Sequence, residues 1–336
     1  MLGTFRLLLA LAVAASHADF RLHGLNPGVS AVVGFYLISG YVMAGLLRRH
    51  YPGSASAPAF YADRALRLMP QYLCYALLTL LLCVVLPRTA IHPSEAYFLG
   101  RSPGLQDAFN NLLVIPLNYY MWNGAERFTL IPPAWSLGAE IQFYLIAPFI
   151  LLRPRRILLV GTIGAVVYLL ALLGRIHSDW YGYRLLPGVL TFFMLGALMH
   201  RLHAGPRPRA GLGLVLAVVL GCVLAGWLSL RQGALAHPFN RETLLGLAIA
   251  CPLLHLLARR TRQRWDELAG DLSYGVFLNH FLILWMVYPA GVSPTALPGY
   301  LLLSIALAFL TQKYVERPLL AWRRRLRRPS AGACAA

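Results

Sequence analysis

The sequence predicts an all-α fold, a polytopic transmembrane helical bundle of about ten spans with both termini in the cytoplasm. Three observations carry that reading. Of 336 residues, 58% are hydrophobic and only 12% are charged, and the mean hydropathy is +0.61. The apolar residues fall in runs long enough to cross a bilayer. The arginines fall in clusters between those runs. A soluble domain carries roughly 25% charged residues, so this chain lacks the polar surface to face water as a globule.

A bilayer-crossing helix needs roughly 20 apolar residues. Runs of that kind lie near 3–18, 28–47, 68–87, 134–152, 157–174, 185–201, 211–230, 243–258, 273–291 and 297–316. Ten spans put both chain ends on one side. With the loops assigned alternately, 22 of the 30 basic residues share the side of the termini and 8 lie opposite. Basic residues concentrate on the cytoplasmic side, so the termini are expected there. The net charge of +18 is then orientation charge, not a nucleic-acid footprint. Lys313 is the only lysine, a bias expected of a high-GC bacterial genome. Residues 1–320 read as one transmembrane domain. Residues 321–336 read as a basic tail, with 322–328 suited to anionic membrane lipids.

The five cysteines, Cys74, Cys83, Cys222, Cys251 and Cys334, form no C-x-x-C pair, and four lie within apolar runs. They read as small hydrophobes, and no metal-ligand spacing is present. The longest stretch between spans, 88–133, holds Asn110, Asn111, Asn118, Tyr119, Tyr120, Trp122 and Asn123. Such residues suit carbohydrate stacking and hydrogen bonding, and equally an interfacial aromatic belt.

Ionisable groups inside spans are costly and mark functional sites. Arg6 and His17 lie eleven residues apart in the first span, about three helical turns, so they share a face with Ala10 and Val13. His17 is about 16 Å deeper than Arg6 at 1.5 Å per residue. A neutral imidazole beside a wet cavity is suited to take a proton from a hydroxyl. The first 18 residues also have the marks of a cleavable signal peptide. Against cleavage, it would leave nine spans and remove the deepest histidine.

Arg64 and Arg67 fall in the first cytoplasmic loop at i and i+3. On a helix they project from one face and make a fork for phosphate oxygens, and positive-inside anchoring also accounts for them. Trp135, Ser136, Glu140 and Tyr144 enter the fourth span, with Ser136, Glu140 and Tyr144 on one face. The Glu140 carboxylate can orient His17, position a substrate hydroxyl or pair with an arginine. Ser39-Gly40 in the second span reads as a close helix contact. Tyr274 and His280 lie in the ninth span, where a single histidine reads as a helix bridge.

Taken in order, these residues resemble the acyltransferase-3 family of bacterial membrane O-acyltransferases. The marks are Arg6 with ten residues before His17, Phe35 with Ser39-Gly40, Arg64-x-x-Arg67-x-x-Pro70, Trp135-Ser136-Leu137-x-x-Glu140-x-x-Phe143-Tyr144, and Ser273-Tyr274 with His280. Each is short, but their order and spacing cover nearly the whole chain. Many members carry an acid just before the Phe35 stretch; here Val32-Val33-Gly34 stands there. The resemblance implies transfer of acetyl or a similar short acyl group from acyl-CoA to a glycan or lipid-linked sugar. It implies His17 as catalytic base and Arg64 and Arg67, with Arg6, in donor handling. It requires no cofactor, acyl-CoA being a co-substrate. A transporter or flippase of a lipid-linked sugar would also explain the spans and buried polar groups, but the chain shows no internal repeat. A non-catalytic scaffold leaves His17 and Glu140 without a purpose.

Overall fold

The computed structural model describes residues 1–85, 97–206, 209–261 and 263–319. The expected tail 321–336 and the end of the third expected span, 86–87, lie outside the described residues. The described chain is helical, with one isolated bridge between Leu22 and Leu25. We number its principal helices α1 (Leu2–His17), α2 (Pro27–His50), α3 (Ala57–Val85), α4 (Leu105–Leu113), α5 (Ala134–Ile150), α6 (Pro154–Leu172), α7 (Leu186–His203), α8 (Ala210–Arg231), α9 (Asn240–Ala258), α10 (Arg264–Val287) and α11 (Leu297–Thr311).

All but α4 fall on the expected spans. Among the described residues, seven helical stretches are long and apolar enough to cross a membrane. They contain α2, α3 and α6–α10. The helices α1, α5 and α11 are shorter, at 16, 17 and 15 residues. The apolar surface that a soluble protein would hide is open here. Leu216, Leu220, Val223, Leu224 and Trp227 of α8 are all exposed, as lipid-facing side chains should be.

Local sequence sets the helix starts. Asn26 caps α2, its Oδ1 accepting from Gly28 N at 2.9 Å, and Pro27 occupies the first turn. Proline also opens α6, α7 and α11. Packing then fixes the alignment. Thr4 donates to Asp266 Oδ1 from both N and Oγ1 at 2.8 Å, while His17 meets His280. Thus α1 and α10 run parallel, as spans one and nine must. The Ser39-Gly40 contact is confirmed. A methyl group on Gly40 would lie 1.9 Å from the Phe193 carbonyl oxygen, and one on Gly196 1.9 Å from that of Leu37. Only glycine at both positions lets α2 and α7 cross this closely.

The segment 97–133 folds over the His17 end of the bundle, and its asparagines hold it together. Asn111 Nδ2 donates to the carbonyls of Asp107 (2.9 Å) and Phe128 (3.1 Å), and its Oδ1 accepts from Leu130 N. Asn118 Nδ2 donates to the carbonyls of Trp135 and Arg184, both at 3.1 Å. Asn110, Asn111 and Asn118 are buried. Of the patch, the exposed aromatic platform is Trp122, stacked on Tyr119 at 5.9 Å. The amides of Asn111 and Asn118 therefore serve the fold, while Asn123 is exposed and donates to the Pro116 carbonyl at 2.8 Å.

Candidate active site

His17 closes α1, and its ring lies nearly parallel to that of His280, with 15° between the planes. His17 Nδ1 and His280 Nε2 are 3.1 Å apart, and His280 Nδ1 is 3.1 Å from the Val276 carbonyl oxygen. A carbonyl oxygen only accepts, so His280 Nδ1 must carry a proton. With the rings neutral, His280 Nε2 then accepts and His17 Nδ1 donates. That leaves the lone pair of His17 on Nε2, which has no hydrogen-bonding side-chain partner among the described residues. Two histidines thus fix one tautomer, the one that offers a basic nitrogen. His280 bridges helices as expected, and its partner is His17 itself.

The His17 ring opens onto a cavity of about 310 Å³. Phe281 and Trp135 line it from the bundle, and Phe98, Leu117, Tyr120, Glu126, Thr129 and Pro132 line it from the overlying segment. Arg184 completes the wall. A second cavity of about 80 Å³, lined by Ser16, Ser136 and Phe277 among others, shares His17, Trp135 and Arg184 with the first. Ser136 Oγ donates to the Pro133 carbonyl at 3.0 Å, bracing the first turn of α5.

Sequence reasoning missed Arg184, which counted only as one of the outer-loop charges. It ends a π-helical turn, Trp180–Arg184, whose wider spacing brings residues i and i+5 together. Its Nε donates to Asp179 Oδ1 at 2.6 Å. Its guanidinium lies 4.5 Å from the Trp135 ring centre, with Tyr120, Tyr183 and Phe239 within 5.8 Å. The five-residue spacing of Asp179 and Arg184 was the available signal.

Glu140 lies one and a half turns deeper on α5 than Trp135. Its Oε1 accepts from Ser39 Oγ at 2.6 Å and from Tyr144 OH at 2.5 Å. Its carboxylate is thus engaged by two hydroxyls, while the Nδ1 of His17 is taken by His280. Of the three roles open to Glu140, orienting His17 finds no contact here.

Arg64 and Arg67 depart from expectation. They lie in the second and third turns of α3, not in a loop, and both are buried. Each charge is compensated, which is what allows the helix to start eleven residues earlier than hydropathy places it. Arg64 pairs with Asp63, and Arg67 pairs with Glu316 and approaches Asp271 at 3.8 Å. Arg67 also sits 5.9 Å over the ring of Tyr274, whose hydroxyl donates to the Leu68 carbonyl. Arg6 makes no ion pair or hydrogen bond through its side chain among the described residues. The sequence-derived residues therefore form two groups: His17, His280, Trp135 and Ser136 at the cavity, and Arg64, Arg67 and Tyr274 toward the other end. Ser39, Glu140 and Tyr144 lie between them.

Residues 3–313 match the Acyltransferase domain of the acyltransferase-3 family. The chain is 25% identical to the exopolysaccharide production protein ExoZ of Rhizobium meliloti (strain 1021), over 92% of this chain and 95% of that protein. It is 26% identical to nodulation protein 10 of Rhizobium leguminosarum bv. viciae, over 95% of this chain and 92% of that one. An uncharacterized protein of Aquifex aeolicus (strain VF5) is 40% identical over 47% of this chain and 72% of its own length. No solved structure matches. The match spans nearly the whole chain, and the chain belongs to the acyltransferase-3 family of membrane-integral acyltransferases.

Proposed function

We propose that this protein moves an acetyl or similar short acyl group from cytosolic acyl-CoA to a hydroxyl of a glycan or lipid-linked sugar, in a bacterial inner membrane. The observation that carries the reading is the His17–His280 pair at the cavity. It leaves a lone pair on His17 Nε2 where an acceptor hydroxyl can approach. The name of the R. meliloti relative supports a polysaccharide acceptor.

In this scheme the chain crosses the membrane ten times with both termini in the cytoplasm. Arg6, Arg64 and Arg67 then lie toward the donor, and the cavity lies toward the acceptor. His17 Nε2 takes the proton of the acceptor hydroxyl as that oxygen attacks the thioester carbonyl. Trp135 and the aromatic walls bound the space in which the reacting atoms would meet. Glu140, held by Ser39 and Tyr144, is the second catalytic candidate, placed between donor and acceptor.

Vesicles charged with acetyl-labelled acetyl-CoA test the proposal. Label should pass to the glycan or lipid-linked sugar fraction. A sugar-lipid that crosses the vesicle wall while the label stays on CoA would establish the transporter reading instead. Orientation is checked in the same vesicles. A cysteine placed at Arg101 should react with a periplasmic reagent and one at Arg264 should not.

A further inference from the structure

We propose that Arg184 is a catalytic residue that stabilises the oxyanion formed when the acceptor attacks the acyl donor. The inference rests on the reading of His17 as base and acyl-CoA as donor.

The geometry begins with the free end of the side chain. Arg184 uses Nε on Asp179, and its two terminal nitrogens have no hydrogen-bond partner among the described residues. Burial of a guanidinium normally requires all its donors to be met. Arg184 lines both cavities, in company with His17. The smaller cavity holds only about 80 Å³, so two side chains on its wall face the same few atoms of any occupant.

The chemistry places the charge in that space. His17 Nε2 removes the proton of the acceptor hydroxyl, and the hydroxyl oxygen bonds to the thioester carbonyl carbon. The carbonyl π electrons move onto oxygen. The resulting oxyanion lies within a few bond lengths of His17, because the attacking oxygen touches both. Collapse restores the carbonyl, breaks the carbon–sulfur bond, and returns the proton from His17 to the departing CoA sulfur. A cation fixed beside His17 before reaction lowers the energy of that intermediate at no reorganisation cost. Arg184 is fixed twice, by Asp179 on its edge and by Trp135 on its face. Glu126 is the other charged wall residue, and it belongs to the overlying segment.

Water can replace the sugar as nucleophile, and hydrolysis passes through the same oxyanion without any sugar contact. Purified Arg184→Gln in detergent should hydrolyse acetyl-CoA with a kcat about 10²–10³-fold below wild type, the usual cost of one oxyanion donor. Its KM for acetyl-CoA should be unchanged. Transfer in vesicles should fall by the same factor. Arg184→Lys keeps a cation against Asp179 and should fall by about 10-fold, since it loses the fixed fork; it decides the matter if the glutamine variant does not fold. Unchanged hydrolysis with a raised requirement for the sugar would make Arg184 an acceptor anchor and overturn the proposal. So would full activity of either variant. His17→Ala, assayed alongside, separates the two ideas. If it loses both reactions while the Arg184 variants lose neither, the Arg184 proposal fails alone. If it keeps both while they lose kcat, the His17 reading fails alone. A wild-type protein that neither hydrolyses nor transfers from acetyl-CoA overturns both.

Discussion

The two ends of this bundle both bring cations into apolar surroundings, and they settle them differently. At the Arg64 end, Asp63 and Glu316 stand against Arg64 and Arg67 within buried ion pairs. At the His17 end, Arg184 has a carboxylate on one edge only among the described residues, and it lines a cavity together with His17. Buried pairs seldom add stability, yet breaking one is costly. The Arg64 end is therefore an interlocked structure, and on the proposed function its arginines would have to leave these pairs to meet a donor phosphate. The His17 end is a set of polar atoms kept ready for a substrate. On the proposed function, donor binding would then require rearrangement of side chains, while proton transfer would take place on a fixed frame.

The largest effect should come from the fixed frame. His17→Ala should insert and bind acyl-CoA normally, yet lose transfer by ~10²–10⁴-fold, the usual worth of a general base. His17→Gln should not recover it, since an amide cannot take the proton. N-terminal sequencing of the same preparation settles whether residues 1–18 are retained. An active chain that begins at Asp19 would break the comparison and move the base to Glu140.

The interlocked end should respond in stability first. Arg67→Ala leaves Glu316 buried without its main partner and should cost about 3–5 kcal/mol, read as a lower melting temperature in detergent. Removing both charges, as Arg67→Met with Glu316→Met, should restore much of that melting temperature while acyl-CoA binding stays weak. Arg6→Ala is the sharper probe of donor binding, because its side chain has no ion-pair or hydrogen-bond partner among the described residues to strand. It should leave stability unchanged and weaken acyl-CoA binding by on the order of 1.5–3 kcal/mol, the worth of a hydrogen bond to a charged group. Equal melting temperatures for the Arg6 and Arg67 variants would remove the distinction between the ends.

The same contrast explains what was legible in the sequence. Spans announce themselves by composition, so the helices that fall on the expected apolar runs could be read directly. The boundary of α3 could not. Its charges are cancelled by Asp63 beside them and by Glu316, 249 residues from Arg67, and hydropathy counts a paired arginine as though it were bare. Arg184 was hidden for a related reason. Positive-inside counting treats an outer arginine as background, and only folding shows that it stacks on Trp135. Asn111 and Asn118 suited a carbohydrate contact and an interfacial belt equally in the sequence, because an exposed amide and one satisfied by backbone carbonyls have the same letter.

The smallest expected effect tests how the frame is fixed. His280 touches His17 through a single hydrogen bond, so it is a positioning residue and moves no proton of the substrate. His280→Ala should lower kcat by about 10-fold, the worth of one hydrogen bond of roughly 1–1.5 kcal/mol, because His17 can then present either nitrogen to the cavity. His280→Gln should come closer to wild type. Its amide oxygen can accept from His17 Nδ1, which restores the tautomer that leaves Nε2 basic. Acceptor and donor KM should not move in either variant, because neither substrate touches His280. A merely structural role would lower the melting temperature in both and rank them by side-chain volume. The proposed role ranks them by whether an acceptor atom faces His17. Nitrogen-15 chemical shifts of His17 report the tautomer directly: protonated Nδ1 in wild type and the glutamine variant, and a mixture in the alanine variant. If wild-type His17 carries its proton on Nε2, the pair is arranged the other way round and His17 cannot act as base from the cavity side.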